Sequence, residues 1–473
     1  MNEPLHWGIV GGGLLGMTLA WELAKHGHRV EVFEAGPEPG GLAAAWQIGD
    51  VMWDRHYHVT LASDSALRGL LAELNLDSQM CWKQTRTGFY CHERLHSFSG
   101  PRDYLRFPLL NAGEKLRFGL AIRSAARLES PESITHLTIE EWLTALSGRS
   151  VFAKMWRPLL LAKLGEDYRS TSATFMWATI RRMFAARRSG LRQEQFGYLP
   201  GGYARMLGTF SDALRKADIP LALNAPASEV AALDAGGVEV RFQDRTRRLF
   251  DRVVVTAPAP VAALLCSQLS PVEDESLRAV QYLGIICVSL LLRRRLSDFY
   301  ITNIADKSIP LTGIIEMSAL VDRRQFGGRS LVYLPRYLRP DDPLFRLSDA
   351  ETEERFIGAL QRVHPSLERR DVLACRISRA KHVFPRPVAG AARALPVDSS
   401  IPGLHILNSA HISHGTLNVN ETVQLAQTQA RRLGELARPE RNEHFGPGAS
   451  EQRPSRRSGQ RSGPPRLRAL ARS

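Results

Sequence analysis

The period of the apolar positions changes twice near the N-terminus. His6 to Val10 is a short apolar run of strand type, followed at once by Gly11-Gly12-Gly13-Leu14-Leu15-Gly16 and then by a helical pattern reaching Lys25. Gly27 closes that helix, and His28 to Phe33 reads as a second strand with Glu34 at its end. This order predicts a βαβ unit of the dinucleotide-binding kind. Gly11 is expected to make the tight turn, Gly13 to let backbone N–H groups approach a diphosphate, and Gly16 to let helix and strand pack closely. Leu14 and Leu15 would then open the helix over the phosphates, and Glu34 would accept a ribose hydroxyl. On these residues alone NAD and FAD are both admissible ligands.

Further along, the same pattern reading gives fewer but clear elements. Val253 to Val255 is a β-branched run ended by Ala257-Pro258-Ala259-Pro260, and Gly237 to Phe242 alternates like its hairpin partner. Leu404 to Leu407 reads as a strand, and Thr422 to Leu436 as a helix with Asn418 and Asn420 as candidate N-caps. Phe107 to Leu128 and Trp156 to Arg192 place Lys115, Arg117, Arg123, Arg127, Arg181, Arg182, Arg187, Arg188 and Arg192 at helical intervals among apolar residues. That composition suits an amphipathic helix on a membrane surface, and equally a basic face turned to water. The glycine-broken stretch from Leu5 to Leu23 has no basic segment before it and does not read as a signal peptide, and no other run is long enough to span a bilayer.

The net charge of +14 suggests a nucleic-acid partner until its position is examined. Residues 438–473, with nine arginines against three glutamates, carry six of those charges. This segment is rich in Arg, Ser, Gly and Pro and reads as a disordered basic tail, so no specific nucleic-acid partner is expected. The five cysteines are scattered without CxxC spacing, which suits a reducing, cytoplasmic setting. Cys91-His92 has no second ligand pair, so no metal is expected.

After Glu34 the chain continues Ala35-Gly36-Pro37-Glu38-Pro39-Gly40-Gly41, a second glycine pair at short range. Together with Tyr198-Leu199-Pro200-Gly201-Gly202-Tyr203, Asn224-Ala225-Pro226-Ala227-Ser228-Glu229-Val230 and Val253 to Pro258, it resembles the flavin amine oxidase superfamily, which includes protoporphyrinogen oxidase, carotenoid and squalene-type desaturases and, more distantly, UDP-galactopyranose mutase. The resemblance runs to about Ala437. It implies FAD as cofactor and an α/β fold, in which a discontinuous Rossmann-like FAD-binding domain (1–60, 196–265 and 401–436) interleaves with a mixed α+β substrate domain (61–195 and 266–400).

The resemblance also assigns residues. Gly40, Gly41 and Leu42 would lie against the FAD, with Leu42 standing where many amine oxidases carry an Arg. Ala227 and Val230 would follow the adenine. Asn408 and Ser409 replace the Gly-Asp that most relatives place beside the ribityl chain, and both can still hydrogen-bond a hydroxyl. The helix near Val419 would aim its N-terminus at the flavin ring.

For chemistry, His56, Tyr57 and His58 follow the glycine pair closely, either facing the ring or forming a pair of hydrogen-bonded histidines on a strand. Lys163, in the block Trp156 to Gly165, is a candidate to hold a water at the ring or to bind an anionic group. Arg157, Arg336 and Tyr333 are further candidates for substrate contacts.

The expected activity is hydride transfer from a C–N or C–C bond of a hydrophobic or lipid-linked small molecule to the flavin. A sugar-nucleotide mutase and a non-catalytic binding protein like the Rab GDP-dissociation inhibitors are the alternatives. The carotenoid desaturases rank behind protoporphyrinogen oxidase, because their glycine- and proline-rich C-terminal motif is not evident in His411 to Asn420.

Overall fold

In the computed structural model, residues 4–185, 195–391, 395–412 and 415–436 are described. Arg187, Arg188, Arg192 and the basic tail lie outside them.

His6–Val10, Arg29–Phe33 and Arg252–Val255 are three neighbouring strands of a five-stranded sheet, with Leu221–Ala222 and Leu404–Ile406 at its edges. All of its pairings are parallel. Gly8 faces Val253, Ile9 faces Val254 and Val10 faces Val255. The sheet thus draws its strands from the beginning, middle and end of the chain. Val253, Val254 and Val255 are fully buried, as expected for a β-branched run covered on both faces. Helices Leu14–Lys25 and Val419–Leu436 pack against each other beside this sheet, joined in one core with Gly202–Lys216.

The reading of Gly237 to Phe242 as partner of Val253 to Val255 is corrected. Val238–Phe242 pairs with Ala227–Ala232 and Arg247–Phe250 in a separate antiparallel sheet. The chain then turns at Asp251, whose carboxylate accepts the His6 N–H at 2.7 Å, and enters the parallel sheet.

A seven-stranded sheet pools the two long segments between the cofactor motifs. Its order is Val372–Pro385, Tyr282–Leu292, Ser330–Leu338, Gly313–Glu316, Phe299–Ile304, Arg86–Cys91 and Arg94–Ser97. Tyr282–Leu292 is buried at every position, as its continuous apolar run requires.

The basic helices also differ from their sequence reading. Ala112–Arg127 is one helix, closed at its start by a capping box between Asn111 and Glu114. Trp156 to Arg192 is not one: helix Arg157–Leu164 ends at Gly165, whose φ of +58° suits glycine, and a short turn precedes the next helix, Ala173–Ala185.

Candidate functional site

The glycine-rich turn is built by close backbone contacts. Gly11 has φ +118° and donates its N–H to Phe33 O at 2.8 Å; a Cβ there would fall 2.3 Å from Thr256 Oγ1. A Cβ on Gly16 would stand 2.0 Å from Gly11 O, so that glycine is what lets the helix approach the strand. Gly13 is the N-cap of helix Leu14–Lys25 and no side chain caps it, which leaves first-turn N–H groups available to an anion. The second glycine pair docks on this turn, with Gly40 N–H donating to Gly12 O at 2.8 Å. Glu34 accepts the N–H groups of Gly12 and Gly36, each at 2.8 Å and each on a different oxygen, so every oxygen keeps a lone pair for a hydroxyl.

These residues form one end of a cavity of about 1220 Å³. Gly11, Gly13, Leu14, Leu15, Glu34, Gly40, Gly41, Leu42, Ala227, Asn408, Ser409 and Val419 all line it, as do His56, His58 and Lys163. Gly16 and Val230 do not. Gly16 lies in the first turn of helix Leu14–Lys25 with its open side against Gly11 and Ile9, and Val230 is fully buried in the core beside Val240. Asn408 is 1% exposed, and its Nδ2 has no partner among the described residues. A buried amide lining a cavity without a partner fits a site that completes its hydrogen bond with a bound group.

Helix Val419–Leu436 begins three residues before its sequence boundary and turns its N-terminus to the cavity, where Asn418 and Val419 both lie. Asn418 is the cap, accepting Glu421 N–H at 3.1 Å. Asn420, the other cap candidate, instead accepts the N–H groups of Ala66 and Leu67 and so holds helix Ser65–Glu73.

His56 and His58 do not lie on a strand: they follow strand Val51–Asp54 in an irregular bend. His56 is buried between Leu42 O, 3.0 Å from Nδ1, and Ser378 Oγ, 3.1 Å from Nε2. A carbonyl can only accept, so Nδ1 carries the proton and Nε2 accepts from the serine. Burial pushes its pKa down to about 4, so the ring is neutral near neutral pH. His58 stacks on Tyr203, ring centroids 4.7 Å apart, and its Nδ1 is 3.6 Å from Asp54 Oδ2. Asp54 is buried and held by Tyr203 N–H at 2.7 Å. Tyr333 is not at the cavity wall but donates to Asp54 O at 2.5 Å.

Strand Ser330–Leu338 explains which of the other candidates reach the cavity. Pro335 and Tyr337 line it, whereas Arg336, one position out of phase, does not, and neither does Arg157. Arg182, expected on a basic surface, instead forms a two-pronged pair with buried Asp64, at 2.7 and 2.9 Å. Arg55, which the sequence reading passed over, lines the cavity with its Nε buried and unpartnered among the described residues, and burial followed by nearby Arg376 pulls its pKa down. Its signal was its place between the glycine pair and His56.

Beyond the glycine end the walls are apolar and aromatic, with Phe118, Trp156, Phe175, Phe196, Tyr300 and Phe384 among them. The volume exceeds the roughly 300–1,000 Å³ of a site for one small molecule, so a cofactor and a substrate fit together.

The model of flavin-containing amine oxidoreductases matches residues 16–433. The chain belongs to that family. It is an FAD-dependent oxidoreductase, and the cradle, the helix N-terminus and unpartnered Asn408 fit that cofactor. The 15-cis-phytoene desaturase of Synechococcus elongatus is 24% identical over 74% of this chain and 79% of its own. This relative is on the desaturase side, whereas the missing glycine- and proline-rich C-terminal motif ranks the desaturases behind protoporphyrinogen oxidase. Among solved structures, an Exiguobacterium protein assigned as a protoporphyrinogen oxidase superposes with a TM-score of 0.71 at 16% identity, covering 92% of this chain and 100% of that one. Reduced UDP-galactopyranose mutase superposes with a TM-score of 0.70 at 15% identity, over 91% and 96% of the two chains. Both likenesses are of fold. Among the described residues no helix is long and apolar enough to cross a membrane.

Proposed function

We propose that the protein removes a hydride from one carbon and a proton from the adjacent carbon of a largely apolar substrate and leaves a new C=C bond between them. The observation that carries this reading is one cavity with a glycine cradle at one end and an aromatic, aliphatic chamber at the other. FAD, when bound, supplies the hydride acceptor, N5 of its ring.

The chain's residues divide the remaining tasks. The N-terminus of Leu14–Lys25 takes the diphosphate, with Gly11, Gly13, Leu14 and Leu15 at the phosphates and Gly16 acting through packing. Glu34 takes the ribose, Ala227 and the Val230 strand border the adenine, and Asn408 Nδ2 and Ser409 serve the ribityl hydroxyls. Gly40, Gly41 and Leu42 cover the cofactor, and Val419 brings a helix N-terminus to the ring, where its dipole favours negative charge. Both nitrogens of His56 are engaged, so it positions Leu42 and Ser378. His58, whose Nδ1 stands 3.6 Å from Asp54 Oδ2, is the lining residue to which we assign the departing proton. The apolar walls exclude water.

Charge favours a C–C over a C–N substrate. Among the described residues Glu34 is the one carboxylate of the lining, and it sits at the cofactor end, so an ammonium-bearing amine would meet Lys163 with no described acid beside it to neutralise it. The desaturase relative supports the same choice. A sugar-nucleotide diphosphate would need several free cations here, and Arg182 is committed to Asp64.

Helix Ala112–Arg127 supports a peripheral membrane contact. Phe118 and Ile122 line the cavity, while on the outside Leu116 and Leu120 are 66% and 57% exposed near the exposed Arg117 and Arg123. An apolar substrate leaving a bilayer would meet this face first.

The test is anaerobic mixing of the holoprotein with detergent-solubilised polyenes and, separately, with putrescine. Bleaching of the flavin by a polyene, with a product two hydrogens lighter, is expected. Bleaching by the diamine alone would overturn the reading.

A further inference from the structure

The substrate half of the cavity contains the side-chain amine of a lysine with no carboxylate beside it among the described residues. Lys163, on helix Arg157–Leu164, places Nζ 3.1 Å from the centroid of the Tyr337 ring. The hydroxyls of Tyr337 and Tyr57 meet at 3.1 Å, and all three side chains line the cavity. Thr312 keeps lysine and tyrosine in register: its hydroxyl donates to Ala162 O at 2.8 Å and accepts the Tyr337 N–H at 3.2 Å. The arrangement is therefore built by backbone contacts on the residue beside the lysine and on the tyrosine itself.

Glu34, the one carboxylate of the lining among the described residues, accepts the N–H groups of Gly12 and Gly36 at the cofactor end. Burial holds the Lys163 pKa below the usual lysine range, with Tyr337 the neighbour that opposes this effect. A buried ammonium is costly without a counter-charge, and a ring face compensates it only in part.

We propose that Lys163, assisted by the Tyr337 and Tyr57 hydroxyls, receives a carboxylate carried by an otherwise apolar substrate. The site then takes a long-chain or isoprenoid acid, with the charged end at Lys163 and the body along the aromatic walls. A carboxylate suits the site better than a phosphate or diphosphate, because one ammonium and two hydroxyls match a monoanion, whereas the higher charge calls for several cations. Arg182 is held by Asp64, and Arg55 lies at the cofactor end near Glu34. This refinement rests on the apolar-substrate reading above.

The test titrates the FAD-loaded protein with oleic acid and with oleyl alcohol, each followed by perturbation of the flavin absorbance, in the wild type and in Lys163→Met, Lys163→Arg and Tyr337→Phe. The acid is expected to bind the wild type at least tenfold more tightly than the alcohol. Lys163→Met should bring the acid down to the affinity of the alcohol and leave the alcohol unchanged. Lys163→Arg should restore the preference, and Tyr337→Phe should reduce it. Equal binding of acid and alcohol by the wild type, or an undiminished preference in a Lys163→Met protein with a native flavin spectrum, overturns the carboxylate proposal and leaves the apolar-substrate reading standing. Binding of neither ligand removes both.

Discussion

Gly41 packs its backbone against Gly13 so closely that a methyl group on Gly41 would stand 3.3 Å from the Gly13 Cα. Two loops separated by helix Leu14–Lys25 and strand Arg29–Phe33 meet there, and neither can carry a side chain without displacing the other or filling the cavity between them.

This contact separates two glycine substitutions by outcome. A Cβ on Gly13 meets nothing nearer than Gly41 Cα at 3.9 Å, and Gly13 has φ −69°, so Gly13→Val should fold but push methyl groups into the cavity. FAD affinity is expected to fall at least tenfold while the apoprotein Tm moves by only about 2 °C. Gly16→Val meets Gly11 O at 2.0 Å and should instead cost about 3 kcal/mol of stability. Flavin content and thermal melts of both variants check this.

His56 predicts a pH dependence of stability. Its folded pKa is about 4 against 6.5 for the free side chain, so between these values the unfolded chain binds the extra proton. Its contribution is full above pH 6.5 and declines as pH falls toward 4, to a total of about 3 kcal/mol. His364, also lowered to about 4 by burial, acts in the same window, so the measurement is the difference between wild type and His56→Gln in denaturant midpoints across that range. The variant should lose less stability on acidification.

Arg182→Met should cost about 3–5 kcal/mol, because Asp64 would be left buried and charged, with the Leu61 N–H its remaining partner among these contacts. Asp64→Asn in the same chain keeps an acceptor for that N–H and should recover part of the loss. Urea denaturation of the single and double variants measures both.

Leu116→Glu together with Leu120→Glu should weaken binding to anionic vesicles severalfold without altering flavin content. Vesicle cosedimentation checks this; unchanged binding would remove helix Ala112–Arg127 from the membrane proposal.

The parts of the fold that could be read from the sequence are those set by local chemistry. The turn from Gly11 to Gly16, the strand Val253 to Val255 and the helix after Asn418 each follow from a period and a turn or cap residue. His58 and Asp54 show where that method stops. On an extended strand, residues four apart stand about 13 Å from each other, so a strand reading hides the pair. The chain bends after Asp54, and the bend brings them together. Tyr57 and Tyr337 are 280 positions apart, and only the sheet and the Thr312 contact bring them to Lys163. The break at Gly165 was hidden by the basic periodicity on either side of it.

Everything assigned to the glycine cradle requires that this cavity hold FAD. This is tested most directly by the absorbance spectrum of the purified protein, followed by denaturation and mass identification of any released chromophore. A flavin spectrum and release of FAD, close to one per chain and diminished in Gly13→Val, are expected. A colourless protein that also fails to take up added FAD would contradict it.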